Sequence, residues 1–242
     1  MPPFQEADKQ RDITLIYGKT GMGKSRLNRG AGPHPGLISK VRRLIVVDPM
    51  NEYPGVYFSD LARMCEFIAH YRTFKVRTDR IDQFPLLCEI ACAAGDLLFV
   101  VEEAQRVLPA SQAKLPPEFQ NLVFRGRHWR VSLTLVSQRP STVNVHARSQ
   151  WNRIYTFNQT EPGDVQWLEN TSGFDVPAAT LRPLEYFAIT PGAIEKKTLP
   201  LLPGERLQNT NAPEKVDNAP DVPEDEDVDD ETPTTPQEED AI

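Results

Sequence analysis

The stretch Ile13-Thr14-Leu15-Ile16-Tyr17-Gly18-Lys19-Thr20-Gly21-Met22-Gly23-Lys24-Ser25 decides the fold. A short apolar run leads straight into the pattern G-x-x-x-x-G-K-S, which predicts a buried strand, a glycine-rich turn and a helix opening near Lys24. Glycines at 18, 21 and 23 let the chain curl so that successive backbone N–H groups face inward, and the start of the helix adds its positive dipole end. That arrangement suits the phosphates of ATP. Gly18, Lys19, Thr20, Gly21, Met22, Gly23, Lys24 and Ser25 are then the nucleotide-binding residues, with Lys24 on the β- and γ-phosphates and the Ser25 hydroxyl on Mg²⁺. A glycine-rich turn without a ligand is the plainer alternative, but it does not require the full spacing, the Lys-Ser pair and the preceding strand together.

With 242 residues, 39% of them hydrophobic, the chain has material for one well-buried α/β domain. Cys65, Cys88 and Cys92 lie in apolar stretches without a C-x-x-C, which points to core packing in a reducing compartment rather than to disulfides or zinc. The four histidines are scattered. No apolar run approaches the roughly 18 residues of a membrane span, and the first residues lack a signal peptide's apolar region, so a soluble, cytoplasmic protein is expected.

The formal net charge of -7 averages two unlike segments. Residues 205–242 carry 14 Asp/Glu against 2 Lys/Arg and almost no large apolar side chains, which predicts a disordered acidic tail. The residues before it carry 25 Lys/Arg against 20 Asp/Glu. The expected organisation is an N-terminal extension over 1–12, an ATPase domain over 13–204 and the tail over 205–242. A tail of this charge can compete with nucleic acid for a basic surface or simply keep the protein in solution.

Between these limits the pattern alternates. Strands are expected at Arg43–Asp48, Phe74–Arg77, Asp96–Glu103, Val131–Gln138, Arg153–Asn158 and Glu185–Ile189. Helices are expected over about 24–30, Ser59–His70, about 84–94 and Pro116–His128, with a breaker-rich loop at 31–36. The run at Arg43–Asp48 is continuous rather than alternating, as in a parallel strand covered on both faces. The fold class is therefore α/β, a mostly parallel sheet between helices, with ligand chemistry at the carboxyl ends of the strands.

Three further features belong to that edge. Leu97–Glu103 has the form of an apolar strand ending in two carboxylates, Glu102 and Glu103; after a phosphate loop, the first acid is placed to serve Mg²⁺ and the second to polarise the attacking water. Gln138 closes the strand at 131–138, where its amide can sense the γ-phosphate or merely sit in solvent. Arg125-Gly126-Arg127-His128-Trp129-Arg130 precedes that strand. An arginine there can reach a neighbouring subunit's phosphate, bind DNA or pair on the surface; Arg127 is the favoured finger, ahead of Arg125 and Arg130.

Taken in order, the loop at 18–25, Val46-Val47-Asp48-Pro49-Met50-Asn51-Glu52-Tyr53, Val101-Glu102-Glu103-Ala104 and Arg125-Gly126-Arg127-His128 followed by Val136-Ser137-Gln138-Arg139-Pro140 resemble the HerA–FtsK superfamily of DNA-pumping P-loop ATPases. The resemblance spans about residues 13–160. It implies a RecA-like core, a homo-oligomeric ring, hexameric in that family's manner, and translocation on double-stranded DNA. It also implies Glu103 as base, Gln138 as sensor and Arg127 near the finger position. Glu102 stands where the family more often has Asp. Asp48 either orders the site or ends a strand. The build is similar to viral genome-packaging ATPases, which would bring capsid-vertex or membrane-bound assembly proteins as partners and a place in the virion. Alternatives are a HerA-like helicase or plasmid-transfer motor, or a zonula-occludens-toxin-like assembly ATPase acting as a nucleotide switch.

Overall fold

The computed structural model describes residues 11–205. The expected acidic tail, apart from Glu205, lies outside the described residues. The chain opens with β1 (Ile13–Tyr17), α1 (Lys24–Arg29), a two-residue hairpin of β2 (Gly30–Ala31) and β3 (His34–Pro35), and β4 (Arg43–Val47). There follow β5 (Val56–Tyr57), α2 (Leu61–His70), β6 (Phe74–Thr78), α3 (Phe84–Ala94) and β7 (Leu97–Val101). The second half holds α4 (Pro117–Arg125), β8 (Val131–Ser137), α5 (Val145–Arg148), β9 (Arg153–Thr156), α6 (Pro162–Ser172), β10 (Glu185–Thr190) and β11 (Ala193–Thr198).

Nine of these strands form one sheet in the order β11-β10-β9-β1-β8-β7-β4-β6-β5. From β9 to β5 the pairing is parallel, while β10 and β11 close the edge antiparallel. The phosphate-loop strand β1 thus sits inside the sheet, and β8 separates it from β7. Register aligns the strand ends. Tyr17 is level with Ser137 on one side and Thr156 on the other, and Val101 is level with Leu135 and with Val47. Gly18, Gln138, Glu102, Glu103 and Asp48 therefore follow their strands along one edge.

One sheet face carries Leu15, Tyr17, Phe99, Val101, Leu133 and Leu135 into a core with α2, α3, α4 and α6. Helix α2 shows why it forms there: Asp60 accepts from Ala62 N (2.8 Å) as N-cap, and Leu61, Met64 and Ile68 make its buried stripe. The expected start at Ser59 thus moves two residues along. The expected helix at Pro116–His128 is α4 plus a 3₁₀ turn at Gly126–Trp129.

Several features depart from the sequence pattern. Helix α6 is not visible in the periodicity because its buried positions are Asp164 and Leu168, a polar and an apolar residue. Strand β11 is almost wholly exposed and is held by backbone pairing to β10 across the turn at Pro191-Gly192. Arg11 and Asp12, assigned to the N-terminal extension, belong to the body: the Arg11 guanidinium donates to Val131 O, Val123 O and Leu122 O at 2.9, 2.7 and 2.6 Å. Of the cysteines, Cys88 is buried in α3 as core packing requires, whereas Cys65 is exposed on α2. The described residues include no helix long and apolar enough to cross a membrane.

Candidate nucleotide site

The loop from Gly18 to Gly23 is held from both sides of β1, by residues that follow β8 and β9 and by one that precedes β10. Gly18 N donates to Gln138 O (3.2 Å), Lys19 N to Asn158 O (3.4 Å), and Leu184 N to Met22 O (3.0 Å). Gly18 has no room for a side chain, since a Cβ there would lie 2.5 Å from Phe157 Cβ, and its φ of +153° is one L side chains rarely adopt. Gly23, at φ +112°, turns the chain into α1 between Phe157, Leu184 and Leu199. Lys24 is half-buried and folds over the loop, its Nζ donating to Gly18 O (2.7 Å) and Lys19 O (3.1 Å). Burial pulls its pKa down, opposed by Glu102, Glu103 and Glu52. Ser25 is the next residue of the same helix.

Glu102 and Glu103 take different directions because the strand ends between them. Glu102 N still bonds Val47 O (3.0 Å), so the alternation of β7 sends its side chain to the face of Val100, toward α1. There it is only 8% exposed. Burial pushes its carboxyl up to about 7, against a hydrogen bond from Tyr53 and the charge of Lys24. Glu103 has φ +48°, which breaks the ladder and opens a 3₁₀ turn at Ala104–Arg106; its carboxylate accepts from Gln105 Nε2.

The partner of Glu102 comes from the Asp48-x-x-x-Glu52-Tyr53 stretch. Asp48, 1% exposed, accepts from Glu52 N (3.0 Å) and Tyr53 N (2.9 Å), folding the chain back on itself at the end of β4. This delivers the Tyr53 hydroxyl between two elements: it accepts from Asn28 Nδ2 of α1 (2.8 Å) and donates to Glu102 Oε1. Of the two roles open to Asp48, ordering the site is the one its bonds describe. Sequence reasoning missed Tyr53 and Asn28 as site residues. The motif marked Tyr53, but nothing local marks Asn28.

Gln138 is exposed at the end of β8, and its carbonyl accepts from both Gly18 N and Gln159 Nε2 (2.9 Å). Next to it, Arg139 Nε donates to the buried Asp164 of α6 (2.6 Å), whose other oxygen accepts from Ser141 N (2.8 Å). Gln159 and Asp164 were also missed, since both act through chain folding rather than through a motif. Arg127 is not at this edge. It is exposed in the 3₁₀ turn that enters the opposite, amino-terminal end of β8, and Arg125 at the end of α4 and Arg130 after the turn are exposed at the same end.

No protein-family model and no curated protein matches the chain. Solved structures do. The genome-packaging NTPase B204 from Sulfolobus turreted icosahedral virus 2, solved with ATP-gammaS, has 19% identity and a TM-score of 0.65 over 79% of this chain and 98% of its own. The DNA-packaging ATPase B204 from Sulfolobus turreted icosahedral virus shows 20% identity and a TM-score of 0.60 over the same shares. VirB4 of Thermoanaerobacter pseudethanolicus shows 11% identity and a TM-score of 0.54, covering 82% of this chain and 92% of its own. The chain has the α/β fold of these P-loop NTPases along nearly the whole length of the viral proteins.

Proposed function

We propose that this protein is an ATP-hydrolysing motor for double-stranded DNA, of the genome-packaging kind. The carrying observation is the gathering of the phosphate loop, Glu102, Glu103 and Gln138 at one edge of a sheet whose fold is shared with packaging NTPases.

The residues fit a Mg²⁺–nucleotide complex. Ser25 and Glu102 supply oxygen ligands of the type Mg²⁺ takes, and a dication beside Glu102 would hold its buried carboxylate ionised. Held there, the ion would supply positive charge against the phosphates. Lys24 exchanges the Gly18 and Lys19 carbonyls for phosphate oxygens. Backbone N–H groups of residues 19–25 cradle the phosphates. Glu103, outside the Tyr53 network, takes the proton of the attacking water. Gln138, whose carbonyl is tied to Gly18, reports on the γ-phosphate through the loop.

The nucleotide-switch reading draws on Glu103, whose carboxylate is bonded to Gln105. Hydrolysis assays separate the two. Lys24→Ala is expected to abolish nucleotide binding or turnover, and Glu103→Gln to retain binding while turnover falls about 10²–10³-fold, in the range of lost charge-stabilising or proton-transfer groups. Duplex DNA is expected to stimulate the wild type. Turnover unchanged in Glu103→Gln would remove the base assignment, and wild-type turnover that duplex leaves feeble would favour the switch.

A further inference from the structure

Parallel sheets are normally covered on both faces, yet over β1 and β8 the described residues cover the face carrying α1 only along its carboxyl-terminal half. Helix α1 has six residues, about 9 Å at 1.5 Å each. It stops at Gly30, where the chain reverses so tightly that a Cβ would lie 2.6 Å from Gly36 N. The strands follow suit. Under α1 this face presents Ile16 and Val136 with Leu27 and Phe157. Below it, the same face of β1 and β8 presents Thr14, Ser132 and Thr134, which floor an open trough of about 1230 Å³. The change from branched apolar residues to hydroxyls falls where the helix ends, so the uncovered half is written into the strands.

Seven Lys/Arg and two Asp line this trough. Four of the cations are already engaged. Arg153 pairs with Asp12 (3.3 Å) and Arg130 with Asp96 (3.7 Å). Arg11 is held by three carbonyls, and Arg43 donates to Arg72 O (3.0 Å) and Ala94 O (2.8 Å). Lys40, Arg42 and Arg72 are exposed, and their side chains have no hydrogen bond or ion pair among the described residues. Exposed, uncompensated cations on the walls of a trough are the groups that contact nucleic-acid phosphates. A protein partner fits less well, because the centres of protein interfaces are depleted of charge.

We propose that the trough binds the phosphodiester backbone of DNA, at the end of the strands opposite the nucleotide site. This rests on the DNA-motor reading and adds where the subunit grips: DNA and ATP occupy opposite edges of one sheet, so each can be held without displacing the other.

The test is duplex binding by the full-length protein, followed by fluorescence anisotropy over a salt series, with ATP hydrolysis measured in the absence of DNA. The triple variant Lys40→Ala/Arg42→Ala/Arg72→Ala is expected to bind duplex at least tenfold more weakly at low salt. Its plot of log affinity against log salt should flatten by about 0.9 for each phosphate that the variant no longer neutralises. Its DNA-independent hydrolysis stays at the wild-type level, which also reports an intact fold. Asp96→Asn, which frees Arg130, is expected to move affinity the other way. Equal affinity and slope in wild type and triple variant overturn the proposal, and so does a changed oligomeric state with duplex affinity intact, which makes the trough a protein interface. A wild type that binds no duplex at low salt defeats the motor reading itself.

Discussion

Tyr53 shows how a motif residue acquires a role only through three elements at once. Its hydroxyl joins Asn28 on α1 to Glu102 beyond β7, and it arrives there because Asp48 caps the turn after β4. The sequence made Asp48, Glu52 and Tyr53 visible as a pattern, but the bond that gives the pattern meaning crosses 49 residues and was not legible. A pH dependence follows from the same network. The Glu102 carboxyl is raised from 4.5 to about 7 by burial. Between those values the folded protein holds a proton that the unfolded chain has released. Stability of the nucleotide-free protein therefore falls as pH rises from about 4.5 to 7, by on the order of 3 kcal/mol. Denaturant unfolding at pH 5 and pH 8 measures it, and Glu102→Gln should flatten the difference. Tyr53→Phe removes a hydrogen bond that holds this carboxyl down, so the decline should extend to higher pH. A pH profile shared by wild type and Glu102→Gln would show that another group governs it.

At the scale of elements, the buried parallel strands were legible to within a residue or two, because each is a short run rich in β-branched and aromatic residues between helical or breaker-rich stretches. The parts that escaped depend on something other than apolar period. Strand β11 exists through backbone pairing, the open half-face exists because α1 is short, and α6 is anchored by a buried carboxylate. Asp164 is 0% exposed and fastens both Arg139 and Ser141 N, so α6 holds the loop that follows Gln138. Asp164→Ala leaves the Ser141 N–H without its partner, at an expected cost of about 1–3 kcal/mol. If Gln138 works through the fixed position of this loop, kcat should drop severalfold while ATP affinity holds, since the loop at 18–25 keeps its own ties to Asn158 and Leu184. Denaturant midpoints and steady-state kinetics read the two effects separately. Reduced stability with unchanged kcat would leave Asp164 a structural anchor only.

For the whole molecule, the sequence identified the reacting edge but could not say how far Arg127 lies from it. Strand β8 separates them: Gln138 follows its carboxyl end, Arg127 precedes its amino end, and seven residues at about 3.3 Å each make roughly 23 Å. An arginine side chain cannot span that distance, so Arg127 has no access to the phosphate loop of its own chain. If it serves hydrolysis at all, it does so at a neighbour's site, through a head-to-tail contact that brings the turn at Gly126–Trp129, on the α4 side of the sheet and away from the trough, to the carboxyl edge of the next sheet, the kind of contact that closes into a ring. The consequence is specific. Arg127→Ala should bind ATP nearly as the wild type does yet turn over about 10³-fold or more slowly, the range of a removed arginine finger. Lys24→Ala is inactive for the opposite reason, with its own loop broken and its Arg127 intact. Mixed assemblies of the two should regain part of the wild-type rate, because an intact loop then meets an intact arginine across some interfaces. Sizing of the mixture must show joint assembly. With that established, activity no higher than the sum of the separate variants would place Arg127 on DNA or on the surface, and the shared site would have to be built from another residue.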